Sequence, residues 1–175
     1  MNTCGQIIGY IALYFSCIRF LKKKKVELLY LSILANAFYL MHYYMIGAYA
    51  GCITVVLAIC RDYYIFLREK HHKKHRSRKL YNNAYIFVAI FITYSAFILL
   101  NINETKNILP LIAGLSYFCF EWFTTNKTTL KLASCVTTIP WLCYNIVYMS
   151  YPGIIADLLT LTSIFAGIFK DKKRR

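Results

Sequence analysis

Few residues in this chain are equipped for chemistry, and most of them stand in two stripes. Ser134, Thr138, Trp141 and Asn145 are four, three and four residues apart, a spacing that places side chains on one face of a helix. Ser32, Asn36, Tyr39 and Tyr43 have the same spacing nearer the N-terminus, with His42 beside Tyr43. A face of hydroxyls, amides and rings can hold a small polar solute by hydrogen bonds and stacking. Trp141 and Tyr39 suit a planar or sugar-like molecule. The other reading is packing, in which Ser, Thr and Asn bond one helix to the next.

Charged residues inside apolar runs are the second group. Asp157 lies several residues within one, and an intramembrane carboxylate is a functional candidate. It could bind a proton or cation coupled to transport, hold a hydroxylated or cationic substrate, or make a structural hydrogen bond. Arg61 and Asp62 stand at the end of another run. Consecutive positions on a helix diverge by about 100°, so the two are expected to face apart. Arg61 then either closes a gate through some other anion or reaches to the lipid headgroups. Arg19 and Glu121 form a possible gate pair of opposite charge, or both extend to the interface. Pro140, the only proline expected well inside a span, removes a backbone bond, as a hinge or as a fixed kink. No HExxH, GxSxG, P-loop or paired-carboxylate pattern occurs, so neither an enzyme nor a cofactor is expected.

The elements that carry these residues follow from composition. The chain has 175 residues, 59% of them hydrophobic, with a net charge of +14. A soluble domain of that size cannot bury so much apolar surface. Seven apolar segments separate short basic runs, at Gly5–Leu21, Val26–Met45, Ala48–Leu67, Asn83–Leu100, Ile108–Phe123, Lys131–Met149 and Pro152–Phe169. Each approaches the ~20 residues that a membrane-spanning helix needs. Backbone groups in lipid must be satisfied within the segment, which selects helices here. No basic residue precedes the first segment, so it is expected to be retained rather than removed as a signal.

With seven spans most of the basic residues fall on one side, and one Lys, Lys106, on the other. Lys22–Lys25, Arg68–Lys79, Lys127 with Lys131, and Lys170–Arg175 share the first side. The opposite side holds Met1–Cys4, Ile46 with Gly47, Asn101–Asn107, and Ser150 with Tyr151. The expected topology is N-terminus outside and C-terminus cytoplasmic. The basic clusters are expected to meet anionic lipid rather than nucleic acid. His71, His72 and His75 are surrounded by Lys and Arg, so no metal site is expected there. The seven Cys contain no CxxC pair and read as small packing residues.

A duplication organises the whole. Shifted by 102 residues, Tyr49 and Gly51 fall on Tyr151 and Gly153, Leu40 and Leu57 on Leu142 and Leu159, and Cys17 on Cys119. Each repeat contains three segments, an odd number, and the extra segment Asn83–Leu100 restores the orientation of the second. The expected fold is an all-α membrane protein of seven transmembrane helices in a 3+1+3 parallel-repeat plan. Parallel repeats of this kind occur in transporters.

The plan resembles the SWEET and PQ-loop superfamily of small transporters, although the Pro-Gln pair that names the PQ-loop group is missing here. More closely, HYYMIGAYAG and AICRDYYIFLREK resemble the YgjV family of bacterial inner-membrane proteins, with His42, Gly47, Ala48 and Arg61 at the matching positions. Trp141 to Asn145 resembles that family's Trp/Tyr-Asn stretch. The resemblance implies a fold and an inner-membrane location rather than a substrate. The expected activity is facilitated or coupled movement of a small solute by alternating access, as a monomer or small homo-oligomer. The cavity residues are expected to be Asn36, Tyr39, His42, Thr138, Trp141, Asn145 and Asp157. The gate residues are expected to be Arg19, Arg61, Glu121 and Pro140. The alternative is a non-transporting receptor or assembly partner of the same fold.

Overall fold

The computed structural model describes residues 3–20, 22, 24–72, 84–100, 105–123 and 127–173, with side chains for 3–19, 22, 24, 26–67, 88–100, 106–119 and 135–166. The side chains of His71, His72 and Glu121, residue His75 and the Asn101–Glu104 stretch lie outside the described residues.

Seven α-helices follow one another: α1 (Thr3–Phe20), α2 (Lys25–Met45), α3 (Tyr49–His72), α4 (Ala84–Leu100), α5 (Thr105–Phe123), α6 (Lys127–Val147) and α7 (Tyr151–Lys173). No strand occurs among the described residues. The helices outrun the apolar segments at several ends. α3 continues to His72, α6 starts at Lys127 and α7 continues to Lys173. Lys, Arg and Glu are strong helix formers, so a helix need not stop where apolarity does. Two prolines lie inside helices, Pro110 in α5 as well as Pro140 in α6. The expectation was of Pro140 alone. Pro110 falls inside because α5 begins at Thr105, ahead of the apolar run.

Among the described residues only Tyr49–Leu67 is by itself both long and apolar enough to cross a membrane. Val88–Leu100, Cys135–Val147 and Tyr151–Ala166 are shorter apolar stretches. α2 carries Ser32, Asn36 and His42 along its length, and Ser32 and His42 are buried in the fold. Polar atoms are thus concentrated on inward faces. Ile7, Ile11, Val56, Ile92, Leu99, Leu158 and Phe165 point outward.

The chain divides into two compact units, Met1–Thr93 and Tyr94–Arg175, with the division inside α4. In the first, α1 packs on α2 and α2 on α3. Ala12, Ala35, Ala48 and Ala50 are buried there, and such small residues let helices approach closely. Phe15 and Phe38 stack across α1 and α2 at 5.5 Å. In the second, α5 packs on α6 and α6 on α7, around Leu111, Phe118, Tyr144 and Ile164.

The turns that close α2 on α3 and α6 on α7 are the same motif. Gly47 N–H donates to the Tyr44 carbonyl and Ala48 N–H to that of Tyr43, at 3.2 and 2.8 Å. Met149 N–H donates to Ile146 and Ser150 N–H to Asn145, at 3.1 and 2.8 Å. Every donor and acceptor is displaced by 102 residues. Both are Schellman caps, which satisfy the last carbonyls of a helix through one left-handed residue. That residue is Gly47 at φ 74° in the first and Met149 at φ 50° in the second.

Candidate functional site

Among the described side chains α3 and α7 hold one carboxylate each, Asp62 and Asp157, and the two are held differently. In the first unit Asp62 is 3% exposed and gathers side chains from α2 and α3. Arg61 Nε and Nη2 donate to its Oδ1 at 3.0 and 2.7 Å. Ser32 Oγ donates to Oδ2 at 2.7 Å, and Asn36 Nδ2 is 3.5 Å from the same oxygen. Arg19 Nη1 donates in turn to Ser32 Oγ at 2.9 Å, which brings α1 into the network. A buried charge is tolerated when it is paired and its lone pairs are occupied, and Asp62 meets both conditions.

This corrects the expectation that Arg61 and Asp62 face apart. Their Cα–Cβ bonds do diverge, but the arginine side chain is long enough to turn its fork back to the neighbouring carboxylate. Arg19, expected in a gate pair, bonds to Ser32 within its own unit. Its expected partner Glu121 has no described side chain.

The aromatic part of the α2 stripe is packed. His42 is fully buried, and its Nδ1 lies 2.7 Å from the Gly5 carbonyl of α1. A carbonyl only accepts, so Nδ1 carries the hydrogen of this bond. Tyr39 and Tyr43 stack at 6.0 Å, and Tyr39 meets His42 edge-on at 6.5 Å.

In the second unit Asn145 Nδ2 donates to Asp157 Oδ2 at 2.8 Å, tying α6 to α7. Asn145 and Ser150 are buried, and Asp157 is partly exposed. Gly153 makes the arrangement possible. A Cβ there would lie 2.5 Å from Asn145 Cγ and Oδ1 and 2.6 Å from Ser150 Oγ. Trp141 stands one turn from Asn145 and meets Tyr144 edge-on at 5.9 Å. Tyr148 Oη donates to Asn107 Oδ1 at 2.9 Å, which fastens the end of α6 to α5. Thr138 is buried on the same helix, and the Ser134 side chain lies outside the described residues.

The stripes thus resolve into three groupings: Arg19, Ser32, Asn36 and Arg61 around Asp62, the ring cluster at Tyr39, His42 and Tyr43, and the Asn145–Asp157 pair. Asp62 as a hub and Gly153 as a spacer are what spacing alone does not reveal. The usable signals were a carboxylate inside an apolar run and the recurrence of glycine at Gly51 and Gly153.

A helical chain that buries Asp, Asn, His and Ser while turning Ile, Leu and Phe outward is built for lipid rather than water. That defines the class, a membrane protein. The family of bacterial inner membrane proteins named Imp-YgjV matches residues 3–175, and the chain belongs to it. No curated protein and no solved structure matches the chain.

Proposed function

We propose that the protein moves a small solute across the bacterial inner membrane, as a transporter or facilitator, by alternating access of two parallel three-helix repeats joined by α4. The N-terminus lies outside and the C-terminus in the cytoplasm, with the basic clusters against anionic lipid. Two repeats in one chain make a monomer sufficient, and no step of the reading is enzymatic. The observation that carries the reading is the helix–turn–helix of α2 and α3, which recurs in α6 and α7 with each hydrogen bond of the turn displaced by 102 residues. Duplicated helical units of this kind are a transporter architecture. The polar residues that the units hold inside are the groups a solute would meet: Asn36, Tyr39 and His42 in the first, Thr138, Trp141, Asn145 and Asp157 in the second. Arg19, Arg61, Glu121 and Pro140 are assigned to gating.

The test is uptake into proteoliposomes from a mixed pool of small metabolites, read by mass spectrometry, with Asn145→Ala and Asp157→Asn beside the wild type. Solute entering wild-type vesicles and not the variants is the expected result. Folded, oriented protein that takes up nothing from a broad pool overturns transport and leaves a receptor of the same fold.

A further inference from the structure

We propose that Asn145 and Asp157, brought together at 2.8 Å between α6 and α7, form a binding site for the ammonium group of a small organic amine. The inference rests on the transporter reading and names its substrate class.

The first observation is charge. Asp157 stands six residues after Tyr151, the start of α7, about 9 Å along the helix. Its one hydrogen-bond partner among the described residues is the Asn145 amide, and no Lys, Arg or His there is paired with it. The titratable side chains described on α6, against which α7 packs, are Cys135, Cys143 and Tyr144, and on α7 Tyr151. None of these can supply a positive charge. Asp62, by contrast, has the Arg61 guanidinium on it at 2.7 Å. Asp62 carries its counter-charge beside it, and Asp157 has none among the described residues, where Lys106 lies over the Tyr148 ring instead.

The second observation is that the fold does not need the pair. Shifted by 102 residues, Asn145, Ser150 and Asp157 correspond to Tyr43, Ala48 and Val55, all buried in the first unit. The same cap closes there with an aromatic and two aliphatic side chains, none of them an amide or a carboxylate. The second unit has made that junction polar and has kept Gly153 small so that Asn145 fits.

The ligand class follows from the donors. Asn145 turns its NH2 to the carboxylate, so the pair is not a cage of oxygens of the kind a hard metal cation requires. A carboxylate accepting N–H bonds beside an aromatic face suits an ammonium. Trp141, one turn from Asn145 on α6, is the ring that helical spacing offers for that face.

The test is calorimetric titration of the intact protein in lipid nanodiscs with ethylamine hydrochloride, putrescine dihydrochloride and choline chloride, with sodium chloride as the control. At least one amine is expected to bind the wild type. Asp157→Asn is expected to weaken it about a hundredfold, the scale of removing one partner of a buried charge pair. Asp157→Val, which places the first unit's residue at the equivalent site, should do the same in a folded protein, and Asp157→Glu should retain binding. Wild-type affinity in Asp157→Asn and Asp157→Val, or no amine binding to folded wild type, overturns the proposal. The two readings fail separately. Uptake of a neutral or anionic solute without amine binding removes the amine site alone, and amine binding without any flux removes transport alone.

Discussion

Arg61 Nη2 lies 2.7 Å from Asp62 Oδ1, an ion pair between adjacent residues of one helix. The pair is the centre of a network in which Asp62 also accepts from Ser32 of α2, and Ser32 from Arg19 of α1. Removing the carboxylate strands a guanidinium in a mostly buried site. Asp62→Ala is therefore expected to destabilise the protein by about 3–5 kcal/mol. Ser32→Ala should cost less, about 1–3 kcal/mol, because Asp62 retains Arg61. Thermal unfolding in detergent, followed by helicity, checks both. Equal melting of Asp62→Ala and wild type would show that the network holds nothing together.

The two caps place different residues in the same left-handed backbone. Gly47 adopts φ 74° without strain, whereas Met149 holds φ 50° against the preference of its side chain. A Cβ at Gly47 would meet nothing within 4 Å, so only the dihedral opposes a larger residue there. Gly47→Ala is expected to lower stability by about 1 kcal/mol, and Met149→Gly to raise it by up to about 1 kcal/mol. Opposite shifts in melting temperature from these two substitutions would check the correspondence of the turns.

Much of the helical order is legible in the apolar runs, and the place of the α2–α3 turn is legible in Gly47 and Gly51. Burial of the helix-period stripes is also legible in part, because Ser32, Tyr43, Thr138 and Asn145 all turn inward. Which side chain meets which is not. The 100° rule sends Arg61 and Asp62 apart and is defeated by the length of one side chain. Asn145 and Asp157 can each be singled out alone, but their bond depends on the cap folding α7 back onto α6 and on the missing Cβ of Gly153. A left-handed Met149 contradicts residue preference and follows only from its alignment with Gly47.

His42 joins α2 to α1 through the Gly5 carbonyl, with its ring against Tyr43 at 5.3 Å. His42→Phe keeps an aromatic ring and removes the donor, leaving the carbonyl without this bond in a buried place. The expected loss is about 1–3 kcal/mol, larger than that of an exposed polar substitution. Thermal unfolding measures it. An unchanged melting temperature would assign the His42 side chain to something other than holding α1.

Gly153 is the position on which the candidate site turns. In Gly153→Ala the new methyl would lie 2.5 Å from the Asn145 amide and 2.6 Å from Ser150 Oγ. Neither neighbour can yield cheaply. Asn145 is buried and bonded to Asp157, and Ser150 is fully buried in the cap whose N–H it donates to the Asn145 carbonyl. The methyl therefore has to displace the Asn145 side chain, and with it the donor on Asp157. Overpacking of this kind costs about 1–3 kcal/mol. The expected outcome is a lower melting temperature together with loss of whatever activity depends on Asp157. The double substitution Gly153→Ala with Asn145→Ala removes the clash with the amide, leaves the one with Ser150 Oγ, and should recover part of the stability without recovering that activity. If the double variant regained both, Asn145 would be dispensable, and the role of Gly153 would be room alone.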